Sequence, residues 1–207
     1  MQPSHHLADQ KKNKEAAIFE AACSVIRDKG FHQARITDIA RQAGISYGLV
    51  YHYFRGKADL FDAILREWWN GLYSMMDESG GESVTVEEKL GAIVDYFLDL
   101  YEKRPNLVHI FITEISRSTA NLTTAHLDYF KVFFKKTEKI MAWGQSQGTL
   151  RSDVKARYLT YIFLGALEGF VSAMVFENQP FKGQDQKTRI ARGILNVFFN
   201  GARSTHD

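Results

Sequence analysis

The chain has 207 residues, with 26 Lys and Arg against 24 Asp and Glu, 45% apolar residues and one cysteine. This is a globular composition and excludes a disordered or fibrous chain. The lone Cys23 excludes intrachain disulfides and a cysteine-based zinc site; with no apolar signal-peptide segment in residues 1–10, it predicts a cytoplasmic location.

Apolar residues recur at helical spacing almost throughout and no stretch reads as a strand, so an all-α fold of about nine helices is expected. The first helix carries Ile18, Ala21, Ala22, Val25 and Ile26 on one stripe, and Gly30 is expected to stop it in the left-handed conformation. Residues 36–54 follow as a helix-turn-helix. Thr37 is placed to cap its first helix with Asp38 in the first turn, Ile39, Ala40 and Ala43 face inward, and Gly44 permits the sharp turn. Ser46 opens the second helix, in which Val50 and Phe54 point inward while Tyr47, Leu49, His52 and Tyr53 stay largely outside. Hydroxyl, imidazole and apolar groups on such a helix suit base edges in a major groove.

Residues 1–57 hold nine Lys and Arg against five Asp and Glu, a charge of +4, and residues 58–207 carry −2. That asymmetry fits a DNA-binding helix-turn-helix domain over 1–57, with a basic arm at Lys11, Lys12 and Lys14, joined to a separate regulatory body over 58–207.

A longer helix runs to about Ser79, where Ser79-Gly80-Gly81 forms a loop, and Thr85 with Glu88 makes a capping box for a helix striped by Leu90, Ile93, Val94, Phe97, Leu98 and Tyr101. Pro105 opens the next helix, with Leu107, Ile110, Phe111 and Ile115. A long helix spans 123–147, Gly148 ends it, Ser152 is expected to cap the following helix to about Asn178, and Pro180 and Gly183 precede a last helix with Ile190, Ile194, Val197 and Phe198. The stretch 158–176 is apolar enough to raise the question of a membrane span, but Glu168 sits near its middle and no other segment is comparable. A helix apolar all round is expected to be buried on every side, part of it against another subunit, with Gly165 and Gly169 allowing close approach.

Thr37, Ile39-Ala40, Ala43-Gly44-Ile45-Ser46, Gly48, Val50-Tyr51, Tyr53-Phe54, Lys57 and Leu60 stand at the spacing of one known domain, and the segment resembles the DNA-binding domain of TetR-family regulators. The resemblance implies a homodimer paired through its last two helices, reading two half-sites of double-stranded operator DNA. It further implies that Thr37, Ser46, Tyr51, Tyr53 and Lys57 hold phosphates, while Tyr47, Gly48 and Leu49 lie against base edges and His52 is close by. A common variant of the motif has His where this chain has Tyr53, which removes an option of positive charge. In the family the intervening helices enclose an effector pocket, so the resemblance makes 58–207 a ligand-binding and dimerisation domain. Here they supply Tyr96, Phe97, Tyr101, Phe111, Tyr129, Phe130, Phe133, Phe134, Met141 and Trp143, which favour an apolar or aromatic effector or simply fill a core.

Glu114 with Arg117, and Glu168, are polar groups on apolar stripes, which either close salt bridges or address a ligand. The runs Glu114-Ile-Ser-Arg117 and Gly165-Ala-Leu-Glu168 resemble the fatty-acid-responsive, FadR-like branch of the family, whose effectors are long-chain acyl-CoAs, although no basic cluster for CoA phosphates stands out. The implied function is a repressor released by such an effector; a drug-like or aromatic effector, or an architectural DNA-binding dimer without effector, is the alternative. The seven histidines show no metal-ligand spacing, and there is neither a phosphate-binding glycine loop nor a nucleophile elbow, so no metal, cofactor or enzymatic activity is expected.

Overall fold

The computed structural model describes residues 3–81, 83–116 and 124–202, with side chains from Lys11 onward except at positions 12, 115, 116, 125 and 202. Among these residues there are nine α-helices and no strand: α1 Pro3–Gln33, α2 Ile36–Gln42, α3 Tyr47–Tyr53, α4 Lys57–Glu78, α5 Val86–Lys103, α6 Pro105–Ile110, α7 Thr124–Ser146, α8 Ala156–Glu177 and α9 Gln184–Ala202. A π-helical turn, Phe111–Ser116, continues α6.

The chain forms two compact units. The first takes α1 to α3, α4 as far as Trp69, and the segment from Asn106 that holds most of α6 and the π turn. Its core contains the expected α1 stripe, all of it buried, together with Ile39, Val50, Leu60 and Trp69. Phe111 is drawn into this unit because its ring packs 4.1 Å from that of Trp68 and 6.0 Å from that of Trp69. The second unit comprises the rest of α4, α5 to Pro105, and α7 to α9. Leu72, Leu90, Ile93, Leu98, Met141 and Phe163 are its buried centre. α5 and α9 are joined there by Lys187, only 6% exposed, whose ammonium meets Asp99 and, at 3.1 Å, Glu102.

Several helix ends behave as expected from their residues. Thr85 and Glu88 form a reciprocal capping box, Ser46 Oγ accepts the Leu49 amide at 3.3 Å, and Gly148 has a φ of +70°. Others differ. Thr37 does not cap α2: the N-cap is Arg35, whose side chain makes no capping bond, and Thr37 is the second helical residue, exposed. Ser152 does not cap α8 either, since that helix begins after Lys155 and the preceding loop is held by Gln145, which donates to the carbonyls of Arg151 (2.7 Å) and Val154 (2.6 Å). Gly30 has a positive φ of 76°, but its ψ of 157° is extended rather than left-handed helical, so the chain kinks and makes one further turn to Gln33.

Within one chain α8 is buried on one side only. It is long and apolar enough to cross a membrane, at a mean hydropathy of 1.7, yet 50% of that window is buried within the chain. Its other side exposes Tyr158, Tyr161, Ile162, Phe170 and Phe176, and α9 beside it leaves Val197 79% exposed.

Candidate functional site

The helix-turn-helix is held by three sets of contacts that follow from its sequence. α2 ends in a Schellman motif: the Ile45 amide donates to the Ala40 carbonyl (3.0 Å), the Gly44 amide donates to that of Arg41 (3.2 Å), and Gly44 carries the required positive φ of 66°. An added Cβ at Gly44 would meet nothing within 4 Å, so backbone conformation alone selects glycine there. Asp38, in the first turn of α2, accepts from Lys29 of α1 at 2.8 Å and also pairs with Arg41. The Lys29 hydrogen bond, helped by both positive charges, holds the Asp38 carboxyl below its ordinary value. α3 is seated by buried Val50 and by Phe54, whose ring lies 5.6 Å from that of Phe19.

This seating turns a polar and aromatic face outward. Tyr47 and Tyr51, four residues apart, are 50% and 43% exposed, with ring centroids 4.8 Å apart. Their hydroxyls interact, and the hydrogen bond with Tyr51 raises the Tyr47 phenol above its ordinary pKa. Thr37, Ser46, Gly48 and His52 are exposed and Leu49 and Tyr53 half-buried, so the positions expected to meet DNA lie on α2, α3 and the turn between them. Lys57 differs from the rest. Its ammonium donates to the carbonyls of Phe31 (2.5 Å) and His32 (3.0 Å) and stands 4.7 Å from the centroid of the Phe31 ring. It therefore caps the end of α1, satisfying carbonyls of its last turn. Partial burial holds its pKa below the ordinary lysine value.

The residues expected to meet an effector fall in both units. Phe111 and Glu114 belong to the first unit, where Glu114 Oε1 would lie 3.8 Å from a Cβ added to Gly30. Its expected partner Arg117 lies outside the described residues. In the second unit the Tyr101 hydroxyl donates to the carbonyls of Met174 (3.0 Å) and Gln179 (2.8 Å), a structural tie across the end of α8. Glu168 is half-buried and accepts from Ser172 at 3.0 Å.

Tyr129, Phe133 and Trp143, by contrast, share one face of α7. Phe133 stacks within a ring series that includes Phe97 of α5 (6.1 Å) and Phe134 (6.3 Å), and Phe134 in turn meets Tyr161 of α8 (5.6 Å). Tyr73 of α4 donates its hydroxyl to the Tyr129 carbonyl at 2.6 Å. Further along that face a cleft of about 290 Å³ is lined by Met76, Asp77, Gly80, Lys89, Lys136, Lys139, Ile140 and Trp143. The reading that no basic cluster stands out is corrected here: three lysines from two helices surround one cavity. The available signal was the i, i+3, i+7 spacing of Lys136, Lys139 and Trp143; Lys89 comes from α5 and had none.

Comparisons with known proteins agree with this architecture. A family model described as bacterial regulatory proteins, tetR family, matches residues 18–64, and one described as the C-terminal region of YsiA-like proteins matches residues 65–196. The chain is similar to the fatty acid metabolism regulator protein of Bacillus subtilis (strain 168), 26% identical over 192 residues, covering 93% of this chain and 97% of that protein. It is also similar to the HTH-type transcriptional repressor KstR2 of Rhodococcus jostii (strain RHA1), 24% identical and covering 95% of each. Among solved structures, the fold matches FadR from Bacillus halodurans (TM-score 0.76, 23% identity, 93% of this chain and 97% of that one). It likewise matches FadR from Bacillus subtilis in complex with stearoyl-CoA (TM-score 0.77, 23% identity, 91% and 99%).

Proposed function

Because the chain belongs to the tetR family of bacterial regulatory proteins, and is thus a DNA-binding transcriptional regulator, we propose that it is a cytoplasmic repressor whose hold on operator DNA is released by a long-chain acyl-CoA. The DNA end of this reading is carried by the exposed face of α3, where Val50 and Phe54 anchor the helix and leave Tyr47, Gly48 and Leu49 free to meet base edges. Thr37, Ser46, Tyr51, His52 and Tyr53 surround them as groups for phosphate oxygens, and Lys57 retains one ammonium proton for the same purpose.

The effector end is supported by full-length similarity to a fatty acid metabolism regulator and to a fold solved with stearoyl-CoA, and by the aromatic series along α7. That series suits an alkyl chain, which needs apolar walls and few polar contacts. Dimerisation supplies the second reading head. The exposed apolar face of α8 and α9 forms a groove of about 510 Å³ that includes Ile162, Ala166, Phe170, Ile194 and Val197. A Cβ added at Gly165, Gly169 or Gly193 would meet nothing within 4 Å, so a partner helix has room to approach. Ligand and DNA then oppose each other if the acyl chain fits best in a conformation that sets the two α3 helices at the wrong spacing.

Selection of bound sequences from a random duplex library, followed by displacement with stearoyl-CoA, tests the proposal. It expects a two-fold symmetric site and release by stearoyl-CoA but not by short-chain acyl-CoA; indifference of the bound complex to every acyl-CoA would overturn the effector assignment.

A further inference from the structure

The cleft at the end of the aromatic series has a chemistry of its own. Lys89 of α5 and Lys136 and Lys139 of α7 bring three ammonium groups to it, and among the described residues Asp77 of α4 is the one carboxylate lining it. Asp77 pairs with Lys136, which leaves the positive charges of Lys89 and Lys139 uncompensated within the lining. Of the acids next to these lysines in sequence, Glu88 closes the capping box with Thr85, and Glu138 faces Arg157 at 3.8 Å. Lys89 is preorganised, with its ammonium 4.1 Å from the centroid of the Trp143 ring and 3.3 Å from the Gly80 carbonyl. Trp143, Ile140 and Met76 supply the apolar part of the lining.

A volume of about 290 Å³ is at the lower edge of ligand pockets, which run to ~300–1,000 Å³, so the cleft suits a head group rather than a whole amphiphile. Its direction is set by α7. Phe133 of the aromatic series and Trp143 of the cleft are ten residues apart on the same helix, a rise of about 15 Å. Between them Lys136 lies 5.8 Å from the ring of Tyr73, so a cationic and an aromatic group adjoin along this stretch of α7.

We propose that this cleft, formed by Lys89, Lys136, Lys139 and Trp143, is the seat of the phosphate-bearing head group of the effector, with its acyl chain running back along α7 toward Phe133. The assignment rests on the acyl-CoA reading above and names the part of the chain that recognises the phosphates. Lysines act here as point charges that tolerate several phosphate geometries. Binding to the cleft is accordingly salt-sensitive, whereas the alkyl contribution is not.

Titration calorimetry of the full chain with stearoyl-CoA, sodium stearate and acyl-free coenzyme A separates the two readings. Lys139→Ala, at an exposed side chain, is expected to weaken stearoyl-CoA about tenfold, to flatten its salt dependence and to leave stearate unchanged. Lys131→Ala, on the same helix but outside the cleft, is expected to change nothing. As an independent readout, coenzyme A is expected to shift the tryptophan emission of the native chain and not that of Trp143→Phe. Wild-type stearoyl-CoA affinity in both Lys139→Ala and Lys89→Ala overturns the assignment. If the native chain binds no acyl-CoA, the effector reading falls; the cleft assignment then survives only if coenzyme A alone binds and Lys139→Ala weakens it, and otherwise falls with it.

Discussion

Lys57 offers a test in which two roles of one side chain separate. Lys57→Met keeps the aliphatic stem and removes the ammonium, so the Phe31 and His32 carbonyls lose their donor. The His32 bond is exposed, and water replaces it at little cost; the Phe31 bond is partly buried. Losing one hydrogen bond to a charged donor costs ~1.5–3 kcal/mol, and the contact over the Phe31 ring adds ~0.5–1 kcal/mol. Against these stands relief of the desolvation that already depresses the Lys57 pKa. The net expectation is a loss of about 1–2 kcal/mol, or a fall in Tm of about 2–8 °C for a chain of this size. If the remaining proton reaches a phosphate, the slope of log affinity against log salt also falls by about one. Denaturant melts and operator titrations at several salt concentrations read both quantities. Native stability in Lys57→Met would refute the capping argument, and an unchanged slope would refute the phosphate contact.

Phe111→Ala should destabilise the first unit by ~3–5 kcal/mol, because Phe111 is 8% exposed and packs on both Trp68 and Trp69; a denaturation midpoint near that of the native chain would contradict this. Tyr51→Phe should weaken binding to all sequences similarly, whereas Tyr47→Ala should change the selected sequence, and an unaltered site profile for Tyr47→Ala would remove its base-reading role. Acid sensitivity should include two steps assignable to single groups. His109, held below its ordinary pKa by burial and then by Arg27, binds fewer protons folded than unfolded, so its contribution is full above ~6.5 and declines as pH drops toward its folded value. Asp38, held low by Lys29, contributes fully above ~3.9 and is lost as pH falls through its lower folded value. Melts from pH 7 to 2 on His109→Gln and Asp38→Asn should each flatten only its own step.

What the sequence made legible was mostly local. Helical periodicity, the Thr85–Glu88 box, the Ser46 cap and the Gly44 turn depend on residues within one or two turns of each other, and each is present in the structure. Capping by Thr37 and Ser152 failed for a related reason. A hydroxyl near a helix start is only a candidate cap, and α2 begins before Thr37 while Gln145, from the preceding helix, holds the loop ahead of α8.

The effector residues were harder to place because aromatic side chains carry no address. Phe111 and Phe133 read alike in sequence, yet one packs on Trp68 in the first unit and the other on Phe97 in the second. Lys89 could not be associated with Lys136 and Lys139 until α5 and α7 were seen to share a cavity wall. The apolar run in α8 was clear, but its exposed side could be seen only once the chain's own core had covered the other.

In the proposed function, operator DNA and a long-chain acyl-CoA bind to opposed states of one molecule. Linkage makes this measurable as one number obtained twice: the factor by which saturating stearoyl-CoA weakens operator affinity must equal the factor by which saturating operator weakens stearoyl-CoA affinity. Fluorescence anisotropy of labelled operator and calorimetry of the ligand supply the two values. Equal factors well above one are expected, with a typical coupling of ~5–150-fold; a factor of one, with both ligands bound tightly and at once, would overturn the proposed repressor mechanism.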